Sequence, residues 1–251
     1  MQRYFLHISY NGTAYHGWQV QDNAISVQAV LNEKISIALQ EEIYVVGAGR
    51  TDTGVHAEYF ILHFDTQKPI SDKASFIDKI NKLLPHDIAA YHLYDVQPDA
   101  NTRFDALSRT YEYRITRKKN PFLTDLAWYY RFPLNIDLMN RAAKILFEYE
   151  DFTSFSKTGT QVKTNICKIY EAVWFEKEPD LLVFKIKADR FLRNMVRAIT
   201  GTLIDVGREK ISLEDFRKII EAKNRSDAGF SVPAHGLFLT GIEYPERLFF
   251  Q

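Results

Sequence analysis

The residues best suited to chemistry lie in a glycine-rich segment at 47–57, which reads Gly-Ala-Gly-Arg-Thr-Asp-Thr-Gly-Val-His-Ala. Its glycines permit positive φ angles and let a ligand approach the backbone closely. Arg50 and Asp52 are two residues apart, so in an extended loop their side chains lie on the same side. A guanidinium near a carboxylate favours its ionised, nucleophilic form. The segment therefore predicts either a loop that presents Asp52 to a ligand or an aspartate that only caps the loop.

Other sites fit this segment less well. A dinucleotide-binding turn needs a third glycine at a fixed spacing and a helix after it, whereas Gly54 falls outside that spacing and a strand is predicted to follow. A phosphate-binding P-loop needs Gly-Lys-Ser/Thr, which the sequence lacks. Asp52, His56 and His63 could hold a metal ion, but their spacing is irregular and no further carboxylate converges on them.

Composition restricts the class of protein. The chain has 251 residues, 46% hydrophobic and 25% charged, which is typical of a globular protein with two modest domains or one large one. The 32 basic and 32 acidic residues cancel, which argues against a non-specific RNA coat protein but allows one basic cleft. The single cysteine, Cys167, excludes an internal disulfide and a cysteine-built metal site, and is predicted to pack as a small apolar residue. No signal peptide or membrane-spanning run is evident, so we expect a cytoplasmic protein.

The periodicity of the first half predicts alternating strands and helices. Ser26 is a good N-cap residue for the first helix. The predicted order is strand, helix, strand, strand, helix, strand, typical of a ferredoxin-like split βαβ unit. The predicted strands are 4–10, 43–46, 57–64 and 88–96, and the predicted helices are 26–39 and 74–84.

The second half shows a similar pattern without a residue-level repeat. The predicted strands are 110–117, 166–175, 181–188 and 237–244, and the predicted helices are 136–147, 191–202 and 213–220. We therefore predict an α/β (α+β) fold with two halves, residues 1–105 and 106–251. Two such halves would enclose a cleft, which is a usual place for a ligand site.

The Gly-Arg-Thr-Asp-Thr-Gly-Val-His-Ala segment resembles the signature of the tRNA pseudouridine synthase A family. In that family the aspartate is the nucleophile, so the resemblance implies that Asp52 is catalytic and that Arg50 and Thr51 contact substrate. The motif is long and of unusual composition. Further motifs occur in family order from residue 4 to about 245.

Two of these motifs concern RNA contacts. Tyr-His-Gly-Trp-Gln at 15–19 resembles the N-terminal loop of the family, which implies that Tyr15, Trp18 and Gln19 touch the RNA. Arg-Thr-Tyr-Glu-Tyr at 109–113 resembles a strand whose first tyrosine stacks on the target uracil, which is Tyr111 here.

The remaining motifs lie near the C-terminus. Phe-Leu-Arg-Asn-Met-Val-Arg at 191–197 resembles a helix whose last arginine, here Arg197, pairs with the nucleophile, and Arg193 is expected to bind substrate. Pro-Ala-His-Gly-Leu-Phe-Leu at 233–239 implies that Leu237 contacts the uracil. The chain departs from the family at 100–104, Ala-Asn-Thr-Arg-Phe, where the family often has Phe-His-Ala-Arg-Phe. Arg103 is retained there as a substrate-binding candidate, and the local loop contacts stay open.

Each of these residues alone has an ordinary explanation, such as a half-buried strand tyrosine or a solvated helix arginine. Their joint occurrence with the Asp52 loop favours a functional role for these residues over the ordinary explanations. Seven basic residues are candidates for phosphate binding, although at least half of them are expected to be ordinary surface charges. They are Arg114, Arg117, Lys118, Lys119, Lys157, Lys163 and Arg193.

The resemblance implies a pseudouridine synthase fold, with two ferredoxin-like halves, an antiparallel sheet through both and a central cleft. It further implies an isomerase that needs no cofactor or metal and converts uridines 38, 39 and 40 of the tRNA anticodon stem-loop to pseudouridine. The family acts as a homodimer with tRNA lying across both subunits. Two alternatives stay open: a synthase for another RNA position, and a non-catalytic RNA-binding module of the same fold.

Overall fold

The computed structural model describes residues 1–157, 159 and 164–250. The chain forms two compact units, one from Met1 to Leu107 together with the chain from Leu239 onward, the other from Ser108 to Phe238. Both mix helices with mainly antiparallel strands, which confirms the predicted α/β class. The proposed division between residues 105 and 106 stays a prediction. No helix in the described residues is long and apolar enough to cross a bilayer.

The first unit has the predicted order of elements. These are β1 (Gln2–Tyr10), α1 (Val27–Leu39), β2 (Val46–Gly47), β3 (His56–Thr66), α2 (Lys73–Leu83) and β4 (Ile88–Asp95). The strands pair antiparallel in the order β4–β1–β3–β2. Since β2 precedes β3 and pairs with it, the chain between them, residues 48–55, reverses direction at one end of this sheet.

Helix α1 begins where the sequence predicts. The Ser26 hydroxyl accepts a hydrogen bond from the Ala29 amide at 3.3 Å and so satisfies one free N–H of the first turn. Val27, Leu31 and Ile35 recur every four residues and are fully buried, which anchors one face of the helix in the core.

The predicted strand at 43–46 is wrong except at its last residue. Helix α1 takes the backbone groups that a neighbouring strand would need. The Asn32 side chain accepts from the Val45 amide at 2.8 Å, and the Gln28 side chain donates to the Val45 carbonyl at 2.8 Å. Ile43 and Val45 are nevertheless buried, whereas Tyr44 and Val46 are exposed, so the β-branched run indicates burial at two of its four positions but not ladder pairing.

The second unit has three main antiparallel strands with helices packed on them. Strand β8 pairs with β5 and with β7, and the short β6 pairs parallel with β5. The elements are β5 (Ser108–Thr116), β6 (Trp128–Tyr129), α3 (Ile136–Ile145), β7 (Ile169–Glu178), β8 (Leu181–Ala188), α4 (Met195–Gly207), α5 (Leu213–Glu221) and β9 (Leu237–Glu243), within which the boundary between the units falls.

Three predicted elements in this unit have boundaries that are wrong by two to five residues. The predicted helix at 191–202 begins only at Met195, because Asn194 has a left-handed backbone with φ 68°, and it continues to Gly207. The predicted helix at 136–147 changes to a 3-10 turn after Ile145. Strand β7 runs later than predicted because Ile166 forms an isolated bridge with Asp151 instead of joining the sheet.

Candidate active site

Asp52 lies in the tight reversal between β2 and β3. The Val55 amide donates to the Asp52 carbonyl at 3.2 Å, and Gly54 has φ +75°, which closes the turn. Thr51 is buried, Asp52 is half-buried and Arg50 is exposed. The aspartate side chain therefore sits at the surface of a turn whose backbone is fixed on both sides.

The segment 12–18 holds this turn in place. The Trp18 amide donates to the Thr51 carbonyl at 3.2 Å, and the Gly54 amide donates to the Tyr15 carbonyl at 3.3 Å. Gly17 has φ +85°, and a Cβ built on it would lie 2.3 Å from the Thr51 oxygen. Only glycine fits this close approach, so a backbone-to-backbone contact fixes the residue that precedes Asp52.

Buried side chains complete this support. The Tyr10 and Thr51 hydroxyls are 2.9 Å apart, within hydrogen-bond distance. The Gly12 amide donates to Nδ1 of His56 at 3.0 Å, and His56 is 1% exposed. Because Nδ1 accepts, the histidine proton is on Nε2 when the ring is neutral. These contacts connect β1, the 12–18 segment and the start of β3 to the two ends of the turn.

The predicted RNA-contacting residues of this segment differ in exposure. Tyr15 is 4% exposed and its hydroxyl donates to Asp87 at 2.6 Å, while burial raises its pKa. Trp18 is 3% exposed and its ring stacks on Phe60 at 4.2 Å between centroids. Gln19 is exposed. The observed contacts of the two rings anchor the 12–18 segment, whose backbone bonds the Asp52 turn, and contact of either ring with substrate stays a prediction.

The histidines of the alternative metal site have other partners. Nδ1 of His56 is occupied by the Gly12 amide, and Nδ1 of His63 lies 2.8 Å from the Thr102 hydroxyl. Burial, with the nearby Arg3 cation, lowers the pKa of His63 to about 4. Within the described residues no three His, Cys, Asp or Glu side chains are grouped as metal ligands would be.

In the second unit, Tyr111 lies on β5 and is half-buried. Its ring meets the Phe191 ring edge to face, with centroids 5.2 Å apart and planes at 89°. Such a pair fixes the orientation of an aromatic ring beyond what burial alone does. Phe191 belongs to the segment before α4, whose non-helical backbone therefore serves to place an aromatic ring against β5.

Arg197 projects from the first turn of α4. Its Nε donates to the Val232 carbonyl at 2.7 Å, and the Val232 amide donates back to the Arg197 carbonyl at 3.3 Å. Next along the helix, a Cβ on Gly201 would lie 1.9 Å from the Phe230 carbonyl oxygen. The close approach of segment 230–232 to α4 thus fixes the arginine through its Nε.

Leu237 lies at the start of β9 and is 6% exposed. The turn before it is anchored to β5, because the Tyr113 hydroxyl donates to the Pro233 carbonyl at 2.8 Å. A Cβ on Gly236 would lie 2.8 Å from the Tyr113 ring. Burial raises the pKa of Tyr113, and the positive charge of Arg197 opposes this rise. Arg197, Tyr113 and the turn before Leu237 therefore form one neighbourhood.

The predicted substrate-binding and phosphate-binding basic residues have varied environments. Arg103 is exposed beside the Phe104 ring, and Arg193 is exposed. Arg114 lies over the Phe238 ring and pairs with Glu112, while Lys118 pairs with Asp180. Lys163 is outside the described residues.

Sequence reasoning missed the residues that hold the site. The structure adds Gly12 and Gly17 as close-approach glycines, and Phe191 and Val232 as partners of Tyr111 and Arg197. The glycines themselves, Gly12 and Gly17 within the 12–18 segment, were the available signal.

Comparison with known proteins identifies close relatives. A family model described as tRNA pseudouridine synthase matches residues 142–245. The chain is 52% identical to tRNA pseudouridine synthase A of Parabacteroides distasonis, over 99% of this chain and 98% of the relative. It is 52% identical to that of Bacteroides fragilis, over 99% of both, and 40% identical to that of Clostridium acetobutylicum, over 97% and 100%. Among solved structures, Thermus thermophilus Cse3 bound to RNA aligns with a TM-score of only 0.25 at 11% identity, which supports no argument.

Proposed function

The chain belongs to the tRNA pseudouridine synthase A family, and we propose that Asp52 is the nucleophile with which it isomerises uridine to pseudouridine in tRNA. The enzyme is an isomerase: every atom of the substrate is kept. The observation that carries the assignment is the Asp52 turn, held by backbone hydrogen bonds from the 12–18 segment. A reacting carboxylate needs this kind of fixed backbone, because small displacements reduce catalysis strongly.

The reaction moves one bond of the uracil. The N1–C1′ glycosidic bond breaks, the detached base turns, and a C5–C1′ bond forms. C5 then loses its proton, and N1 ends with one. The Asp52 carboxylate either attacks C1′ or assists departure of the base, as nucleophilic catalysis. No electron is transferred to an outside acceptor.

Tyr111 and Arg197 are the two other residues that we propose as catalytic. A target base must leave its stack, which costs a few kcal/mol, and stacking on an aromatic ring returns about 1–3 kcal/mol. The Tyr111 ring, oriented by Phe191, is suited to this. We propose that Arg197 keeps the nucleophile ionised. Its Nε donates to the Val232 carbonyl, which fixes the position of the guanidinium, and guanidinium groups form strong charge-assisted hydrogen bonds with carboxylates.

The finer substrate assignment follows the family resemblance. We propose that the target is the anticodon stem-loop, at positions 38, 39 and 40, that the enzyme acts in the cytoplasm as a homodimer, and that tRNA lies across both subunits. Leu237, Arg50, Thr51, Gln19, Arg103 and Arg193 are the proposed contacts, with Tyr15 and Trp18. Mapping pseudouridine in tRNA from a strain lacking the enzyme tests the positions, and sedimentation of the protein tests the dimer.

Release of tritium from tRNA that carries 5-tritiated uridine tests the central proposal. Wild type, Asp52→Asn and Asp22→Asn are compared with EDTA present. The asparagine at 52 has nearly the same size but cannot act as a nucleophile, and exposed Asp22 controls for the loss of one charge. We expect release by wild type and by Asp22→Asn, and none by Asp52→Asn.

Two results would contradict this proposal. Full release by Asp52→Asn with an unchanged circular dichroism spectrum would exclude Asp52 as the nucleophile. Tight tRNA binding by wild type without any release would favour a binding module of the same fold, or another RNA target.

A further inference from the structure

A row of aromatic rings in the second unit leads away from the segment that holds Arg197. Phe230 meets Trp128 at 5.8 Å between ring centroids, Trp128 meets Tyr130 at 4.6 Å, and Tyr130 meets Phe132 at 5.5 Å. Phe230 and Phe132, the two ends of the row, are 48% and 43% exposed. We call these four residues the aromatic row.

Two arginines meet at the far end of the aromatic row. The guanidinium carbon of Arg208 lies 4.9 Å from the centre of the Phe132 ring, and that of Arg131 lies 5.2 Å from it. The two cations are therefore within about 10 Å of each other, on an exposed ring. A duplex presents one phosphate about every 3.4 Å of axis on each strand, so two phosphates fall within that reach.

Neither guanidinium has an ion-pair partner within the described residues. No ion pair or hydrogen bond involves either guanidinium in residues 1–157, 159 and 164–250, whereas the neighbouring Lys210 pairs with Asp205. Arg208 is the C-cap of α4, and the negative end of a helix dipole attracts a cation. That end carries only about half an elementary charge, against two full positive charges. The helix end therefore offsets less than the charge of one arginine.

We propose that Arg131 and Arg208 bind phosphates of the RNA backbone of the tRNA substrate. The inference rests on the proposed function, since it takes tRNA as the partner. The aromatic row connects this pair to the catalytic neighbourhood, because Phe230 is two residues from Val232, whose carbonyl holds Arg197. An RNA strand whose flipped base reaches Arg197 would thus extend over the same unit that carries the arginine pair.

The geometry favours contact with the backbone over contact with bases. The Phe132 ring already contacts two guanidinium groups, which would compete with a base for it. Guanidinium groups bind phosphate oxygens in bidentate fashion and carry no sequence information when they do so. The arginine pair would therefore strengthen binding of any tRNA substrate to a similar extent.

The test measures tRNA binding as a function of salt for four forms of the full-length protein. These are wild type, Arg131→Gln with Arg208→Gln, Arg131→Lys with Arg208→Lys, and a control, Lys82→Gln with Arg247→Gln, that removes two exposed charges from the first unit. Tritium release at saturating tRNA and the melting temperature are measured on the same preparations.

We expect the Arg-to-Gln pair to reduce the slope of log K against log salt by about 2, since each phosphate contact contributes about 0.9. Between about 50 and 200 mM salt, the wild type should then lose roughly tenfold more affinity than this variant. The rate at saturation stays the same. The lysine pair retains most of the slope, and the control pair keeps the wild-type slope.

A slope in the Arg-to-Gln pair equal to that of wild type, or a change no larger than in the control pair, would overturn the inference. A change of sedimentation coefficient with an unchanged slope would also overturn it, and would indicate a protein partner at this surface. If wild type binds tRNA but releases no tritium, the proposed function fails. The salt slopes then still show whether Arg131 and Arg208 bind RNA phosphates.

Discussion

Replacing Gly17 with alanine tests whether the close contact of the 12–18 segment positions Asp52. The new Cβ would lie 2.3 Å from the Thr51 oxygen and 3.1 Å from the Asp52 carbonyl carbon. Ordinary contact begins at 3.4 Å, so the backbone at Thr51 must move by about 1 Å, or the 12–18 segment must withdraw by as much. Both atoms in the way are backbone, which no side-chain rotation can relieve.

Two effects follow, and they act on different measurements. A non-glycine residue at φ +85° costs roughly 1–2 kcal/mol of folding free energy. A displacement of about 1 Å at a reacting group can reduce the rate about 100-fold. We therefore expect Gly17→Ala to remain folded, to bind tRNA nearly as wild type does, and to lose about two orders of magnitude in kcat.

Single-turnover tritium release at saturating tRNA measures this loss, with Gly49→Ala as the matched control. Gly49 lies in the Asp52 loop, three residues before Asp52, but a Cβ built on it meets no atom within 4 Å. The control should therefore keep close to the wild-type rate. Gly17→Ala turnover within a few-fold of wild type, or an equal loss in Gly49→Ala, would refute the idea that this backbone contact positions the carboxylate.

Three further predictions concern named side chains. Arg197→Ala should abolish most turnover. Arg197→Lys should recover only part of it, because lysine lacks the Nε donor for the Val232 carbonyl. Normal single-turnover rates in Arg197→Ala would contradict the proposed pairing with the nucleophile. Tyr111→Ala should lower kcat/KM by an amount equivalent to about 1–3 kcal/mol, whereas Tyr111→Phe should keep the stacking part, so equal losses in both would instead indicate a role for the hydroxyl. His63 has a folded pKa of about 4, below its ordinary value of 6.5. The neutral form of His63 therefore contributes about 3 kcal/mol to the free energy of unfolding above pH 6.5, and this contribution is lost as the pH falls towards 4. Urea unfolding between pH 7 and 4 should therefore show a steeper loss of stability in wild type than in His63→Asn, and the same slope in both would exclude His63 as its source.

The predictions that held depend on interactions local in sequence. Ser26 caps α1, and the apolar residues of α1 recur at helical spacing, because a cap and a helix face are set by residues three or four apart. The order of strands and helices in the first unit was likewise predicted from periodicity alone. The Asp52 motif indicated the family directly, since its residues are contiguous.

The predictions that failed depend on distant residues. Residues 43–45 have the pattern of a strand, but Asn32 and Gln28 of α1 take the backbone groups of Val45. Likewise, Asn194 adopts a left-handed backbone while its side chain donates to Ser231, so α4 begins later than its apolar pattern indicates. In both places, a partner far along the chain decides the outcome.

The sequence by itself thus determined the family, the order of elements in the first unit and the identity of the candidate nucleophile. Only the tertiary structure decided what holds each candidate residue within its own unit: Gly17 packs against Thr51 beside Asp52, and Val232 binds Arg197. The physical reason is that a backbone hydrogen bond or a missing Cβ leaves no periodic trace in the sequence. Its partner is selected only when the chain folds and two remote segments come within about 3 Å of each other.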